Sequence, residues 1–119
     1  MNSRELQERA KQYGIRVIRF CRTINIPRDE NPMKSQLIRC STSVGANYRS
    51  ACRGQSRNVF IAKLGIAIEE CDESLYWLEL IAELYQNINH QEHSYLLDEG
   101  TQLLKIFTST RITMTKPQS

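Results

Sequence analysis

The sequence predicts an all-α protein, and more specifically an antiparallel up-down-up-down four-helix bundle. Apolar residues recur at alternating steps of three and four along nearly the whole chain, which places them on one face of a helix. Residues that break or cap helices interrupt this spacing near positions 27–32, 54–56 and 89, and so divide it into four segments. No useful stretch alternates with period two, so no strand is predicted. The short connections make neighbouring helices antiparallel.

The first two segments have recognisable starts. Asn2, with Glu5 three residues later, is expected to cap the first helix. Asn31 is expected to cap the second, and Pro32 suits its first position, where a missing N–H has no helical partner anyway. Gly54 is expected to end that helix. The apolar stripe of the first helix is Leu6, Ala10, Tyr13, Val17, Cys21 and Ile24. The stripe of the second is Met33, Leu37, Ser41, Val44, Tyr48 and Ala51.

The third and fourth segments are equally regular. Ser56 is expected to cap the third helix, which is predicted to reach about residue 88, and Asn89 with Glu92 is expected to start the fourth. The stripe of the third helix is Phe60, Leu64, Ala67, Cys71, Leu75, Leu78, Ala82 and Tyr85. The stripe of the fourth is Leu96, Leu97, Leu103, Leu104 and Phe107.

The length and composition are those of one small domain. A chain of 119 residues can bury a usable core by itself, so residues 1–112 are predicted to form one bundle domain and residues 113–119 a short flexible tail. No apolar run approaches the roughly 18 residues that span a bilayer. The N-terminus is charged and has no signal-peptide core, so a cytoplasmic protein is predicted. In that compartment the four cysteines are expected to be reduced core residues: Cys21, Cys40, Cys52 and Cys71.

Charge is distributed unevenly along the chain. Residues 1–63 carry 13 Lys and Arg against 4 Asp and Glu, whereas residues 64–119 carry 3 against 9. Such asymmetry is typical of a surface for nucleic acid or of charge-matched assembly. Basic helices that lie beside acidic ones in a single bundle would also produce it, and the sequence leaves these alternatives open.

No motif for catalysis or metal binding is found. Gly45 and Gly54 have the wrong separation for a phosphate-binding loop, and no nucleophile elbow is present. His90 and His93 are the only histidines and have no evident third ligand. The small residues around Gly45 are instead expected to admit a neighbouring helix closely, because a glycine inside a helix costs about 1 kcal/mol relative to alanine. The sequence therefore predicts no catalytic residue, metal or cofactor, and a protein that is not an enzyme.

Two surfaces stand out as candidate binding sites. The third helix carries a second apolar line, and Trp77, Leu80 and Leu84 on it are predicted to form an oligomer interface. A basic surface around the turn between helices two and three is predicted to bind phosphates of nucleic acid without reading base sequence; its residues are Arg39, Arg49, Arg53, Arg57 and Lys63. The alternative is a protein-only scaffold, in which these side chains pair with the acidic residues of the third helix, Glu69, Glu70, Asp72 and Glu73, in the same or an adjacent subunit.

Residues 36–81 resemble the 23S rRNA intervening-sequence proteins, a family of small bacterial four-helix bundles. The resemblance is carried by QLIRCSTSVGAN, which follows QL-x-R-x-x-x-S-V/I-x-AN, by FIAKL, and by ESLYWLEL, which follows E-x-x-x-W-L-x-L. Many members continue with AN-x-x-EG, but here YRSACRG follows Ala46-Asn47, so no role of that glutamate is carried over. The flanking helices extend the similarity to nearly the whole chain.

This resemblance implies a homo-oligomer, a ring of five bundles. The family is also similar in fold to the accessory proteins of diversity-generating retroelements, which are basic pentamers that bind nucleic acid and a reverse transcriptase. The partners that the resemblance implies are therefore other copies of the chain, RNA or DNA, and a reverse transcriptase or ribonucleoprotein. No membrane partner is expected.

Overall fold

The structure is a computed structural model that describes residues 1–117. Its helices are α1 (Ser3–Arg22), α2 (Pro32–Cys52), α3 (Arg57–Leu84) and α4 (His90–Thr115), with a short 3-10 turn over Arg28–Glu30. No residue between positions 1 and 117 lies in a β-strand, and the all-α prediction is confirmed. The helices form a rod of 54 × 24 × 21 Å. Within the described range no helix combines the length and apolarity needed to cross a membrane.

Three of the four predicted helix starts are confirmed by side-chain caps. Asn2, Ser56 and Asn89 accept hydrogen bonds from the backbone N–H three residues later, at 2.8, 3.1 and 3.0 Å. The prediction for Asn31 is wrong. Its own backbone is helical, because it also ends the preceding 3-10 turn, and its side chain makes no capping bond. Pro32 does occupy the first position of α2, as predicted.

Three predicted boundaries need correction. α3 ends at Leu84 and not near residue 88, because Tyr85 has an extended backbone that lets its hydroxyl donate to Glu30 at 2.6 Å. α4 continues to Thr115, so helix replaces the predicted tail over residues 113–115, and the last two positions of that tail lie outside the described residues. α2 ends before Gly54 without the left-handed glycine cap. A Cβ at Gly54 would lie 2.8 Å from Val59 Cγ1, so close packing explains this glycine.

Each helix packs on two others. α1 contacts α2 and α4, and α3 contacts the same two helices. The predicted stripes supply most of the buried apolar residues, including Leu37, Val44, Leu64, Leu103 and Phe107. They form a single core along the rod.

Two glycines bring α1 and α2 into backbone contact. A Cβ on Gly14 would lie 3.3 Å from Ser41 O, and one on Gly45 would lie 3.3 Å from Lys11 N. The small residues of α2 therefore admit α1, as the sequence predicted. Because the helix axes approach so closely, the outer surface along this seam is a shallow groove.

A buried polar contact ties α1 to α3. The Tyr13 hydroxyl lies 2.7 Å from Ser74 Oγ, which donates to Cys71 O at 2.6 Å. Burial raises the pKa of Tyr13. Gly100 of α4 covers this hydroxyl, since a Cβ there would lie 2.8 Å from Tyr13 Oη.

Candidate nucleic-acid interface

The groove between α1 and α2, here called the basic groove, is lined by four cationic side chains. Its volume is about 580 Å³, and its floor includes Gly14, Gly45 and Ala46. The half-buried side chains of Ile15 and Ile18 form an apolar wall. Exposed cationic side chains stand along its rim, two from each helix: Arg4, Lys11, Arg49 and Arg53.

Arg49 and Arg53 also line a second cavity at the end of α2. It has a volume of about 470 Å³ and includes Gly54, Gln55 and Val59 in the turn to α3. The two arginines lie one helical turn apart and thus face both cavities. The structure brings these two of the five predicted residues together, and it adds Arg4 and Lys11, which the sequence reasoning missed because they lie on another helix.

The salt bridges of the chain leave the basic groove free. Within residues 1–117 they join Arg9 to Glu99, Arg16 to Glu92 and Arg39 to Glu70 and Glu73. None of them involves a rim cation. The one carboxylate that lines the groove, Glu8, accepts a hydrogen bond from Gln12.

Arg39 belongs to α2 but serves the contact with α3. Its guanidinium lies 2.8 Å from Glu70 and 2.5 Å from Glu73, and it also donates to Gln36. The hydrogen bond to Glu73 is the main cause that raises the pKa of Arg39. For this residue the alternative prediction, pairing with the acidic residues of helix three, is the observed one within the chain.

Arg57 lies beside the end of α4. Its guanidinium donates to Met114 O and, at 2.7 Å, to Lys116 O, so it satisfies carbonyls that have no partner inside the helix. This geometry gives Arg57 a structural use that the sequence spacing did not predict. Lys63 is half-buried on α3 and lines neither cavity described above. Of the five predicted residues, Arg49 and Arg53 line both cavities, and the other three line neither.

Two arginines of α1, Arg9 and Arg16, find their partners on α4. Arg9 donates two hydrogen bonds to Glu99 at 2.8 and 2.7 Å, and Arg16 donates two to Glu92 at 2.9 Å. Arg16 also lies 3.5 Å from the centre of the Tyr95 ring. The acidic half of the sequence thus neutralises part of the basic half within one chain.

The predicted interface residues on α3 differ in exposure. Trp77 is half-buried, packs against the core and donates its indole N–H to Glu73 at 3.0 Å. Leu80 is half-buried, whereas Leu84 is 54% exposed. Val59, Ile66 and Tyr76 add exposed apolar surface to the same helix. Some side chains of this second apolar line are half-buried and others are exposed, so only part of the line is available to another subunit.

The four cysteines and His93 pack within the bundle. Cys21, Cys40 and Cys71 are buried and Cys52 is half-buried, and all four are free thiols. Burial raises the pKa of Cys21 to about 11 and those of Cys40 and Cys71 to about 12. His93 is buried with Nε2 2.7 Å from Leu78 O. Among the residues that the structure describes, no three His, Cys, Asp or Glu side chains are grouped for a metal.

Comparison with known proteins places these features in a family. The chain is similar to a protein of Bacteroides thetaiotaomicron VPI-5482 whose crystal structure is described as that of a protein with unknown function from the S23 ribosomal protein family. The two share 29% identity over 94% of this chain and 99% of the other, with a TM-score of 0.83. A search of curated proteins gives no match.

The sequence model of one family covers most of the chain. It matches residues 3–109, which extend from the first residue of α1 to within the last two turns of α4. The matched residues include α1, α2, α3 and most of α4, and therefore the residues that line the basic groove. This chain belongs to the 23S rRNA-intervening sequence protein family.

Proposed function

We propose that this protein is a non-enzymatic, self-associating helical bundle that binds the phosphate backbone of nucleic acid along the basic groove. One observation carries the proposal. Four exposed cations, Arg4, Lys11, Arg49 and Arg53, line a single groove, and none is engaged by a salt bridge within residues 1–117. The proposal keeps two of the predicted binding residues and replaces Arg39, Arg57 and Lys63 with Arg4 and Lys11.

The chemistry of the groove favours phosphate over bases. Guanidinium and ammonium groups on helix surfaces neutralise phosphates and release counterions. If all four cations contact phosphates, affinity falls roughly 50-fold for single strands and 150-fold for duplex DNA between 50 and 200 mM salt. Between the cations the groove is lined mainly by glycine, alanine and isoleucine, and Gln7, Glu8 and Thr42 are its few polar uncharged or acidic side chains, so it offers few groups to read base edges. Binding is therefore expected to be independent of sequence.

Fluorescence anisotropy with labelled RNA and DNA tests this proposal. Arg49→Glu/Arg53→Glu is expected to abolish binding at 50 mM salt. Lys105→Glu/Lys116→Glu changes the net charge by the same amount at exposed positions of α4 and its end, and is expected to retain binding. Binding lost equally in both double variants would show that net charge, and not the groove, attracts the nucleic acid.

Arg39, which was predicted from the sequence and is left out of the proposed site, provides a second comparison of binding affinities. Arg39→Ala is expected to leave affinity within about twofold, because its guanidinium is engaged by two carboxylates on α3. A loss of affinity for Arg39→Ala as large as that for Arg49→Ala would restore the surface predicted from the sequence.

A protein-only scaffold is the second candidate function. It is favoured by the salt bridges of Arg9, Arg16 and Arg39, which use basic residues to join helices and not to attract a ligand. Absence of any binding to RNA or DNA at 50 mM salt in a folded protein would select this function.

Self-association is supported by the exposed apolar surface of α3. Ile66, Tyr76 and Leu84 are 40, 55 and 54% exposed and lie on one side of the helix, and apolar side chains exposed together are typical of an interaction surface. The ring of five implied by the family resemblance is the expected assembly. Light scattering at micromolar concentration provides the measurement, and a monomer of 13.8 kDa at that concentration would contradict the proposal.

We also infer that the four helices alternate in direction as an up-down-up-down bundle. Contacts between chain neighbours run in opposite order: Gly14 approaches Ser41 while Gly45 approaches Ala10. On the other side, His93 bonds to Leu78 O whereas Cys71 bonds to Gly100 O. These pairs support the arrangement that the short connections predict.

The non-enzymatic part of the proposal is supported by the state of the thiols. Three cysteines are buried with raised pKa values, so they are poor nucleophiles at neutral pH. A reverse transcriptase or ribonucleoprotein partner follows only from the resemblance to retroelement accessory proteins. It stays a prediction, which co-purification with a reverse transcriptase encoded beside this gene would test.

A further inference from the structure

The outward side of α3, here called the outer face, is both apolar and acidic. Its residues recur at steps of three and four and therefore share one side of the helix. They are Ala62, Ile66, Glu69, Asp72, Tyr76, Leu80 and Glu83. The three carboxylates among them are exposed, and none takes part in a salt bridge within residues 1–117. The outer face thus offers apolar contact area together with three unpaired carboxylates.

Gly65 lies on the same side of α3 and has no explanation within the chain. A Cβ added there meets nothing within 4 Å, in contrast to the four other glycines, each of which approaches backbone or side-chain atoms. Glycine in a helix interior destabilises the helix relative to alanine. Because no neighbouring atom of the bundle would contact a Cβ here, packing within the chain does not require glycine at this position. Close approach of a second helix from outside would give a reason for it.

The basic groove is the complement of this face. It has an apolar floor and wall, with Ile15 and Ile18, together with two rows of cations, whereas the outer face has apolar residues beside carboxylates. The cations lie toward one end of the groove, from Arg4 to Lys11 on α1 and opposite them on α2, and Ile15 and Ile18 lie toward the other end.

We propose that the outer face of α3 from a second copy docks into the basic groove, so that a neighbouring copy and nucleic acid compete for the same cations. The proposal rests on the assignment of the groove to phosphate binding and names its protein competitor. Because the groove and the outer face are different surfaces, the contact is heterologous and either closes into a ring or continues as a filament. A symmetric contact between two outer faces would instead bring like charges together.

Charge reversal on both sides tests the docking. Arg49→Glu/Arg53→Glu and Glu69→Arg/Glu83→Arg should each shift the light-scattering mass to 13.8 kDa, the mass of one chain. The chain with all four changes should regain assembly, because the opposite charges meet again with exchanged signs. Lys105→Glu/Lys116→Glu is the control and should keep the wild-type mass. Failure of the fourfold variant to assemble, with helical circular dichroism intact, overturns the proposal, as does wild-type mass in either double variant.

A neutral substitution provides a test without charge. Gly65→Gln should fold, because open space surrounds that position, and it should block close approach and yield the single-chain mass. Assembly of Gly65→Gln at the wild-type mass would overturn docking through this face.

Competition separates this inference from the proposed function. A 20-nucleotide RNA added to the wild type should lower the mass of the assembly, and Glu69→Arg/Glu83→Arg, whose groove is vacant, should bind that RNA at least as tightly as the wild type. RNA that binds the wild-type assembly without dissociating it overturns the competition. If no variant binds RNA but the fourfold variant regains assembly, the phosphate-binding function fails and the docking stands.

Discussion

Gly65 and Gly100 occupy helix interiors with opposite surroundings, and replacing each with alanine should have opposite effects. At Gly65 the new methyl group meets nothing within 4 Å. In the unassembled chain the change therefore removes only the conformational cost of glycine, and at concentrations where the protein is a single chain Gly65→Ala should raise the free energy of unfolding by about 0.5–1 kcal/mol. At Gly100 the methyl group would lie 2.8 Å from both Leu75 Cδ2 and Tyr13 Oη.

The magnitude at Gly100 follows from what must move. Leu75 can rotate its methyl group away, but Tyr13 is buried, and its hydroxyl is held 2.7 Å from Ser74 Oγ. Overpacking of this kind costs about 1–3 kcal/mol, against the same gain in helix propensity. Gly100→Ala should therefore be less stable than Gly65→Ala by about 1–3 kcal/mol. At roughly 4 °C per kcal/mol for a domain of this size, the two melting temperatures should differ by about 4–12 °C.

Urea unfolding of the two variants, each at two protein concentrations tenfold apart, provides the assay. The second concentration reveals any contribution from assembly, which would make stability concentration-dependent. Tyr13→Phe completes a double-mutant cycle with Gly100→Ala, because it removes the hydroxyl that the methyl group would strike. Coupling of at least 0.5 kcal/mol, with the double variant more stable than additivity predicts, is expected. Equal stabilities of Gly65→Ala and Gly100→Ala would refute the packing argument.

Three further outcomes are expected from single residues. The hydrogen bond from Trp77 is the main cause that lowers the pKa of Glu73 below its ordinary 4.5. The contact is therefore complete above pH 4.5 and is lost as the pH falls below that value. The fluorescence of the single tryptophan should change in that range, and Glu73→Gln should remove the transition. Arg57→Ala should cost about 1–2 kcal/mol in urea unfolding, because two carbonyls at the end of α4 lose a charged donor, while RNA affinity stays unchanged. A bulky maleimide should label Cys52 first, since the other three thiols are buried, and fast labelling of all four in the native protein would contradict this packing.

Local features of the fold were predictable from the sequence because their physics is local. A cap such as Ser56 needs only an acceptor three residues before an available N–H, and both residues are visible in the sequence. The end of α3 was not predictable in this way. Tyr85 leaves the helix in order to reach Glu30, which lies 55 positions earlier in the chain. Tertiary contacts of that kind outweigh the periodicity that extended the predicted helix to residue 88.

The positive charge of the candidate site was predictable from the sequence, but the identity of its residues was not. The excess of cations in the first 63 residues predicted a basic surface around the turn between helices two and three, and of its five residues Arg49 and Arg53 line the basic groove. Which arginines stay free depends on partners 31 to 90 positions away, such as Glu70 for Arg39 and Glu99 for Arg9. The grouping of Arg4 and Lys11 with α2 depends on Gly14 and Gly45, which bring the two backbones together.

The contact between Arg57 and the end of α4 also places two helix ends at the same pole of the rod. Arg4, near the start of α1, lines the basic groove together with Arg53, and Arg57 holds Met114, near the end of α4. The start of α1 and the end of α4 therefore both lie at the turn between α2 and α3, and a glycine-rich linker can join them while new ends are opened elsewhere. The exposed turn at Gln86 and Asn87 is the suitable opening, because it leaves every helix whole. A circularly permuted chain of this design should fold with the same core, and it would carry any fused reporter at the pole of the rod remote from Arg53.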